Sequence, residues 1–203
     1  MLKDTGERVI PKLMKPTNMM LLEHTARYYF STPYVRGRVL DIACGTGYGS
    51  QMVAKVRKKE IDEIIAADIC EDTLAYAKGN HYHPLIKFVQ ANVIDKQLLE
   101  KLGTFDTILS FETIEHVQDD DQFMRNMYNL LNPGGTLVLS TPFGEGKGMP
   151  CNYPFHVHQF TPSEFEKLFH EFKEKEIFFQ RGVTIEPPRK DVYYPLGVAV
   201  CRK

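Results

Sequence analysis

The sequence predicts an α/β domain with a doubly wound, mostly parallel sheet and helices on both faces. Three observations carry that expectation. Short apolar runs at 39–42, 64–67, 86–89, 105–109 and 136–140 are separated by stretches of helical spacing or tight turns, as in strands joined by crossover helices. Ile64, Ile65, Ala66 and Ala67 are apolar without alternation, which marks a strand buried on both faces. The runs end in Gly or polar residues, so Gly45, Asp68, Phe111 and Glu112 are expected at one crevice mouth, at the carboxyl end of the strands.

The chain has 203 residues, enough for one well-buried core and short for two. Lys plus Arg number 25 and Asp plus Glu 26, a formal net charge of −1. That balance gives no electrostatic case for nucleic acid or an anionic membrane as main partner. Lys55, Arg57, Lys58 and Lys59 close the first helix of the sheet region, where positive charge suits the helix dipole. The four cysteines form no Cys-x-x-Cys pair, which fits a reduced, cytoplasmic protein. No signal-peptide pattern opens the chain, and no apolar run approaches the roughly 18 residues of a membrane span.

Residues 1–16, interrupted by Pro11 and Pro16, read as an arm or lid, and 17–30 as a helix ahead of the first strand. The domain proper is expected over 37–203, with 1–36 as arm and covering helix. The stretch 38–50 reads as strand, tight turn and helix. Gly45 and Gly47 can adopt positive φ and let a ligand lie on the backbone, although an ordinary strand-to-helix turn has the same appearance. No Lys-Ser or Lys-Thr pair closes the glycines, which argues against nucleoside triphosphates. Ser50 stands where a dinucleotide fingerprint has its third Gly, which disfavours a nicotinamide-dependent oxidoreductase. Asp41 puts a carboxylate beside the glycines, suited to a ligand carrying positive charge.

The run Val39-Leu40-Asp41-Ile42-Ala43-Cys44-Gly45-Thr46-Gly47 resembles the first motif of the class I S-adenosylmethionine-dependent methyltransferases. Most members have Gly at the place of Ala43, whose methyl group asks for a slightly different loop path. Phe105 to Val117, ending Glu115-His116-Val117, resembles the fourth motif of small-molecule members, the ubiquinone-biosynthesis type included. The Asn132-Pro133-Gly134-Gly135 turn is a further shared feature. Gly6-Glu7-Arg8 with Glu23–Tyr28 is similar to members associated with bacterial surface glycans.

The resemblance implies a Rossmann-like seven-stranded sheet with an antiparallel last strand, and S-adenosylmethionine as cofactor. It places Arg27 at the methionine carboxylate with Tyr28 as a wall; a solvated Arg is the other reading. Asp41, Ala43, Gly45 and Gly47 would form the cofactor turn. Asp68, about 20 residues past the glycines, is placed to accept the ribose hydroxyls or to cap the next helix, with Ile69 beside it. Asn92 and the backbone of Val93 are expected at the adenine, and Asp95 as a helix cap. Phe111 and Glu112 would complete the pocket.

His116 and His158 are the expected catalytic side chains, His116 being a general base or a structural tie between loop and sheet. Asp119, Asp120 and Asp121 read as a helix start rather than a metal site. The breaker-rich 141–160 stretch reads as the acceptor-binding loop. His156 and His158 would face the same way in an extended chain, but no third ligand is apparent in sequence and no metal is expected. Thr161-Pro162-Ser163-Glu164 is a capping box opening a helix. Strands follow at 176–180 and 197–201, joined by a wide loop. The implied activity is methyl transfer by in-line displacement to an oxygen, nitrogen or carbon of a small acceptor, by a monomer or homodimer. A fold of this kind that binds without turnover is the rival reading.

Overall fold

The computed structural model describes residues 6, 8–151 and 153–203. Residues 1–5 and Glu7 of the expected arm lie outside the described residues, and with Glu7 goes part of the Gly6-Glu7-Arg8 pattern. The remainder of the arm is not merely a lid. Val9 and Ile10 are buried, and the Val9 carbonyl accepts a bond from Thr46 Oγ1 at 2.8 Å, fastening the arm to the glycine turn.

Helix α1 (Met19–Ser31) starts at Asn18, whose side chain accepts the Leu21 N–H. Then come β1 (Gly37–Ile42), α2 (Tyr48–Val56), β2 (Ile61–Asp68), α3 (Glu71–Asn80), β3 (Ile86–Gln90), α4 (Leu98–Leu102) and β4 (Phe105–Phe111). The chain continues through α5 (Asp120–Leu130), β5 (Leu131–Pro142), α6 (Pro162–Lys167), β6 (Glu174–Arg181), β7 (Thr184–Glu186) and β8 (Leu196–Arg202). Asp119 caps α5 by accepting the Gln122 N–H, and Thr161 with Glu164 makes the expected capping box at α6. Asp95 does not cap α4 directly. It accepts the Gln97 N–H two residues on, and Gln97 is the cap position.

The strands form one sheet in the order β3-β2-β1-β4-β5-β8-β6-β7. Strands β1 to β5 pair in parallel, and β8 inserts antiparallel between β5 and β6. Eight strands replace the expected seven. The extra one, β7, turns back on β6 through Gly182 at φ 59° and lies inside the stretch expected to be loop. The Asn132–Gly135 turn is a bulge within β5, where the pairing partners of β4 jump from Leu131 to Thr136.

Alternation along β1 assigns its two faces. Leu40 and Ile42 join a core with Leu98, Phe123, Met127 and Phe165, from α4, α5 and α6. Val39 joins the opposite core with Tyr28, Val53 and Leu74, from α1, α2 and α3. Each such fully buried side chain contributes roughly 1.5–3 kcal/mol, so both faces anchor the strand ends that carry the site.

Candidate active site

Strand order reverses between β1 and β4, since β2 and β3 extend one way and β5 the other. Such a switch point leaves a crevice at the carboxyl ends of the strands. Here it is a cavity of about 760 Å³, lined by Gly45 after β1, Asp68 after β2, Glu112 after β4 and Phe143 after β5. Arg8, Arg27 and Tyr28 wall it from the amino-terminal side.

The turn after β1 is left-handed three times, at Ala43 (φ 61°), Gly45 (φ 54°) and Gly47 (φ 78°). Ala43 therefore keeps the backbone path a glycine would take, rather than the altered path expected of it, at a cost of about 1–2 kcal/mol. The two glycines differ in purpose. A Cβ at Gly45 would meet nothing within 4 Å, so this residue presents bare backbone to the cavity. A Cβ at Gly47 would lie 2.7 Å from the Phe88 ring and 3.0 Å from Ala77 Cβ. Gly47 thus permits close packing of the turn against β3 and α3, and it lies outside the cavity lining. Thr46 is pinned at both ends, its hydroxyl on Val9 and its carbonyl 2.6 Å from His81 Nδ1.

Asp68 lines the cavity and does not cap α3 directly: Cys70 holds the cap position, and Asp68 braces the chain on either side of the crevice. Its Oδ2 accepts the Gly45 N–H at 2.9 Å and its Oδ1 accepts the Cys70 N–H, at the cap of α3, at 2.9 Å. A carboxylate has about four acceptor sites, so capacity remains on the cavity side. Ile69, beside it on the rim, is 64% exposed.

Asp41 is buried behind the turn and lies outside the cavity lining. Both its oxygens accept from Tyr28 Oη at 3.2 Å, and Ser50 Oγ donates to Oδ2. The third-glycine position is thus a serine because it serves this carboxyl. Burial pushes Asp41 up to about 7, against the opposing pull of the Ser50 and Tyr28 hydrogen bonds. The sign of the linkage follows: a group that holds its proton more tightly folded than unfolded loses its stabilising share as pH rises from about 4 to the folded value. Asp41→Asn is expected to flatten the fall in ligand-free stability between pH 4 and pH 7, read from urea midpoints across that window. An unchanged profile would refute the assignment. The groups facing Asp41 are Tyr28, Tyr48, Ser50, Cys44 and Asp68.

Arg27, on α1, is 2% exposed yet lines the cavity. Its Nη1 donates to Gln180 Oε1 at 2.8 Å, while Nε is buried without a partner. The Gln180 amide in turn donates to the carbonyls of Glu23 and Gly182, tying α1 to β6. The solvated reading of Arg27 is therefore overturned. An orphaned guanidinium donor at a cavity wall fits an anionic group of a ligand. Phe111 packs edge-on against Tyr28 at 4.9 Å, and Glu112, at φ 50°, accepts from Ser140 Oγ at 2.8 Å. A non-glycine residue held in this strained region at a cavity wall is a common mark of a functional position.

Asn92 and Val93 do not reach the cavity lining. Asn92 is exposed, with Oδ1 turned back to the Ile94 N–H, and the Val93 carbonyl is taken by Asn126. His116 reaches the cavity and donates from Nδ1 to the Phe155 carbonyl at 2.9 Å. It ties its loop to the 141–160 segment rather than to the sheet. His158 is 4% exposed, packs on Phe160 and lies outside the lining, and burial lowers its basicity. The two histidines of 156–158 do not share a face, because the chain bends at Val157, whose N–H bonds the Glu115 carbonyl, instead of running as a strand. His156 faces the cavity; His158 faces the core.

Glu115, His24 and Tyr193 also line the cavity, with no site role expected of them from the sequence, and His156 lines it from the expected acceptor-binding loop. Glu115 was legible as part of the Glu-His-Val run, but nothing in that run revealed its complete burial. Burial and the neighbouring Glu112 charge hold its carboxyl well above the usual range.

The methyltransferase-domain family profile matches residues 35–179. A probable S-adenosylmethionine-dependent methyltransferase of Mycolicibacterium smegmatis is 31% identical over 169 residues, covering 81% of this chain and 62% of that protein. A ubiquinone biosynthesis O-methyltransferase of Ruegeria pomeroyi is 31% identical over 109 residues, covering 54% of this chain and 42% of that one. The chain thus spans about six-tenths or less of the length of these relatives. Among solved structures, the N-methyltransferase NodS of Bradyrhizobium japonicum, in complex with S-adenosyl-L-homocysteine, superposes with a TM-score of 0.68 at 16% identity, covering 95% of this chain and 91% of that one. No helix among the described residues is long and apolar enough to cross a membrane.

Proposed function

The chain belongs to the class I S-adenosylmethionine-dependent methyltransferases, and from that premise we propose that its cavity catalyses methyl transfer to an oxygen, nitrogen or carbon of a small-molecule acceptor. The observation that carries the reading is the bare face of Gly45, braced by Asp68, at the switch point of the sheet. Asp68 would accept the ribose hydroxyls with its remaining lone pairs, and Ile69 would cover the base. Arg27 Nε would take the methionine carboxylate, and Phe111 and Tyr28 would wall the amino-acid end. Bound S-adenosylmethionine supplies an activated methyl group with a good leaving group.

The chain's own task is then to position the acceptor and exclude water, which can account for about 7–11 kcal/mol of a barrier. Tyr153, Phe155 and Tyr193 line the cavity and are 56%, 53% and 78% exposed. Exposed aromatic faces at a cavity mouth favour a flat or apolar acceptor. This supports the 141–160 segment as the acceptor-binding loop.

Calorimetry with S-adenosylmethionine and S-adenosylhomocysteine, followed by assay of S-adenosylhomocysteine release with a panel of phenols, carboxylates and sugars, tests the proposal. Micromolar binding of both nucleosides with turnover of at least one acceptor is the expected result. Binding without transfer to any acceptor would favour the non-catalytic module, and no binding would remove the reading.

A further inference from the structure

We propose that Gln180 is a positioning residue for the nucleoside site: it aims the Arg27 guanidinium at the carboxylate of the ligand's amino-acid tail and leaves the guanidinium charge uncancelled. The inference rests on the methyl-transfer reading of the cavity. Arg27 and Gln180 are 153 positions apart, and both fall outside residues 35–179, which the family profile matches. Gln180 is 1% exposed and lies outside the cavity lining, so any effect on a ligand passes through Arg27.

The amide has one orientation open to it. Its Oε1 accepts from Arg27 Nη1 at 2.8 Å, and its Nε2 donates to the Glu23 carbonyl at 3.1 Å and the Gly182 carbonyl at 2.7 Å. Turned over, it would set N–H groups against a guanidinium that can only donate, and its oxygen against two carbonyls that can only accept. The backbone is equally fixed, since Gln180 lies in β6 and pairs with Ile185 of β7 and Leu196 of β8. A side chain carried on a strand between two neighbours is a rigid support for a binding group.

Two donors beside this support lack partners. Arg27 Nε and Tyr48 Oη are both buried and unpartnered, and both residues line the cavity. A buried donor left unpaired costs free energy, and a ligand carboxylate accepting from it removes that cost. Gln180 suits the task because it is neutral. A glutamate in its place would pair with the guanidinium and satisfy the charge inside the protein. An amide oxygen holds the same nitrogen and leaves a full positive charge facing the cavity.

Calorimetry of the full chain with S-adenosylhomocysteine and with 5′-methylthioadenosine, the same thioether nucleoside without the carboxylate, tests the assignment. The parent chain is expected to bind both. Gln180→Met and Gln180→Glu should each weaken S-adenosylhomocysteine at least tenfold, the first by releasing the guanidinium and the second by neutralising it, with 5′-methylthioadenosine kept within twofold. In an Arg27→Met background, Gln180→Met should change S-adenosylhomocysteine affinity by less than twofold, because the group it aims is gone. This cycle decides alone where 5′-methylthioadenosine binds too weakly to read. Circular dichroism establishes that each variant is folded, and Gln180→Glu, which retains a partner for the buried charge, carries the conclusion if Gln180→Met is not. Three results overturn the assignment and leave the methyl-transfer reading in place: parent-like S-adenosylhomocysteine affinity in a folded Gln180 variant, an equal loss for both nucleosides, or a tenfold penalty that persists in the Arg27→Met background. Binding of neither nucleoside by the parent chain removes both.

Discussion

Asp68→Ala is expected to weaken S-adenosylmethionine binding at least tenfold by calorimetry and to lower the urea midpoint of the ligand-free chain. The two effects have separate origins. Hydrogen bonds to a charged acceptor contribute about 1.5–3 kcal/mol each, and a tenfold change in affinity is about 1.4 kcal/mol. One lost ribose bond therefore meets the tenfold floor. The carboxylate also holds the N–H groups of Gly45 and Cys70, so its removal loosens the glycine turn and the chain leading into α3 without any ligand present. Asp68→Asn separates the contributions. An amide oxygen still accepts from one of the two N–H groups, but the amide nitrogen can accept nothing. Stability should then fall less than in the alanine variant, while the nucleoside still binds more weakly than to the parent. Parent-like affinity in Asp68→Ala would mean that the ribose lies elsewhere.

Asp68 was legible because two independent regularities met on it: an apolar run ending in an acid, and a fixed distance from a glycine turn. Similar logic located β1 to β5, the opening of α5 and the capping box of α6. The site's other half was not legible, for physical reasons. Glu115 and His156 are 41 positions apart, and the intervening chain includes a breaker-rich loop whose path follows no period. Alternation at His156-Val157-His158 suggested a shared face, which holds only for extended backbone, and the bend at Val157 breaks it. Strand β7 has three residues, too few to show a pattern. Positive φ at Ala43 and Glu112 leaves no mark in residue type at all. Glycine is ambiguous for a related reason, since one absent Cβ can admit a ligand or a neighbouring side chain. Gly45 faces open space, whereas Gly47 makes room for the Phe88 ring.

Gly49 takes that ambiguity furthest, and Gly49→Ala is expected to destabilise the chain by about 3 kcal/mol. Gly49 lies within α2, where alanine is intrinsically better than glycine by about 1 kcal/mol. Propensity alone thus predicts stabilisation. Packing predicts the reverse, because a Cβ here would overlap the Tyr28 ring. That ring is confined on several sides: Phe111 is edge-on at 4.9 Å, Tyr48 lies at 5.8 Å, and the hydroxyl is bonded to Asp41. Close-packed interiors have no slack to absorb such an overlap. The ring must move and α1 with it, so the overpacking cost of about 1–3 kcal/mol is joined by loss of the Tyr28 bond to Asp41, worth about 1.5–3 kcal/mol if that carboxyl is charged. Together these exceed the propensity gain. Because α1 also carries Arg27, affinity for S-adenosylmethionine should fall along with stability. A double-mutant cycle isolates the cause. In a Tyr28→Leu background the obstructing ring is gone, and Gly49→Ala should become neutral or stabilising. A penalty of equal size in both backgrounds would show that Tyr28 does not seat α1 against α2.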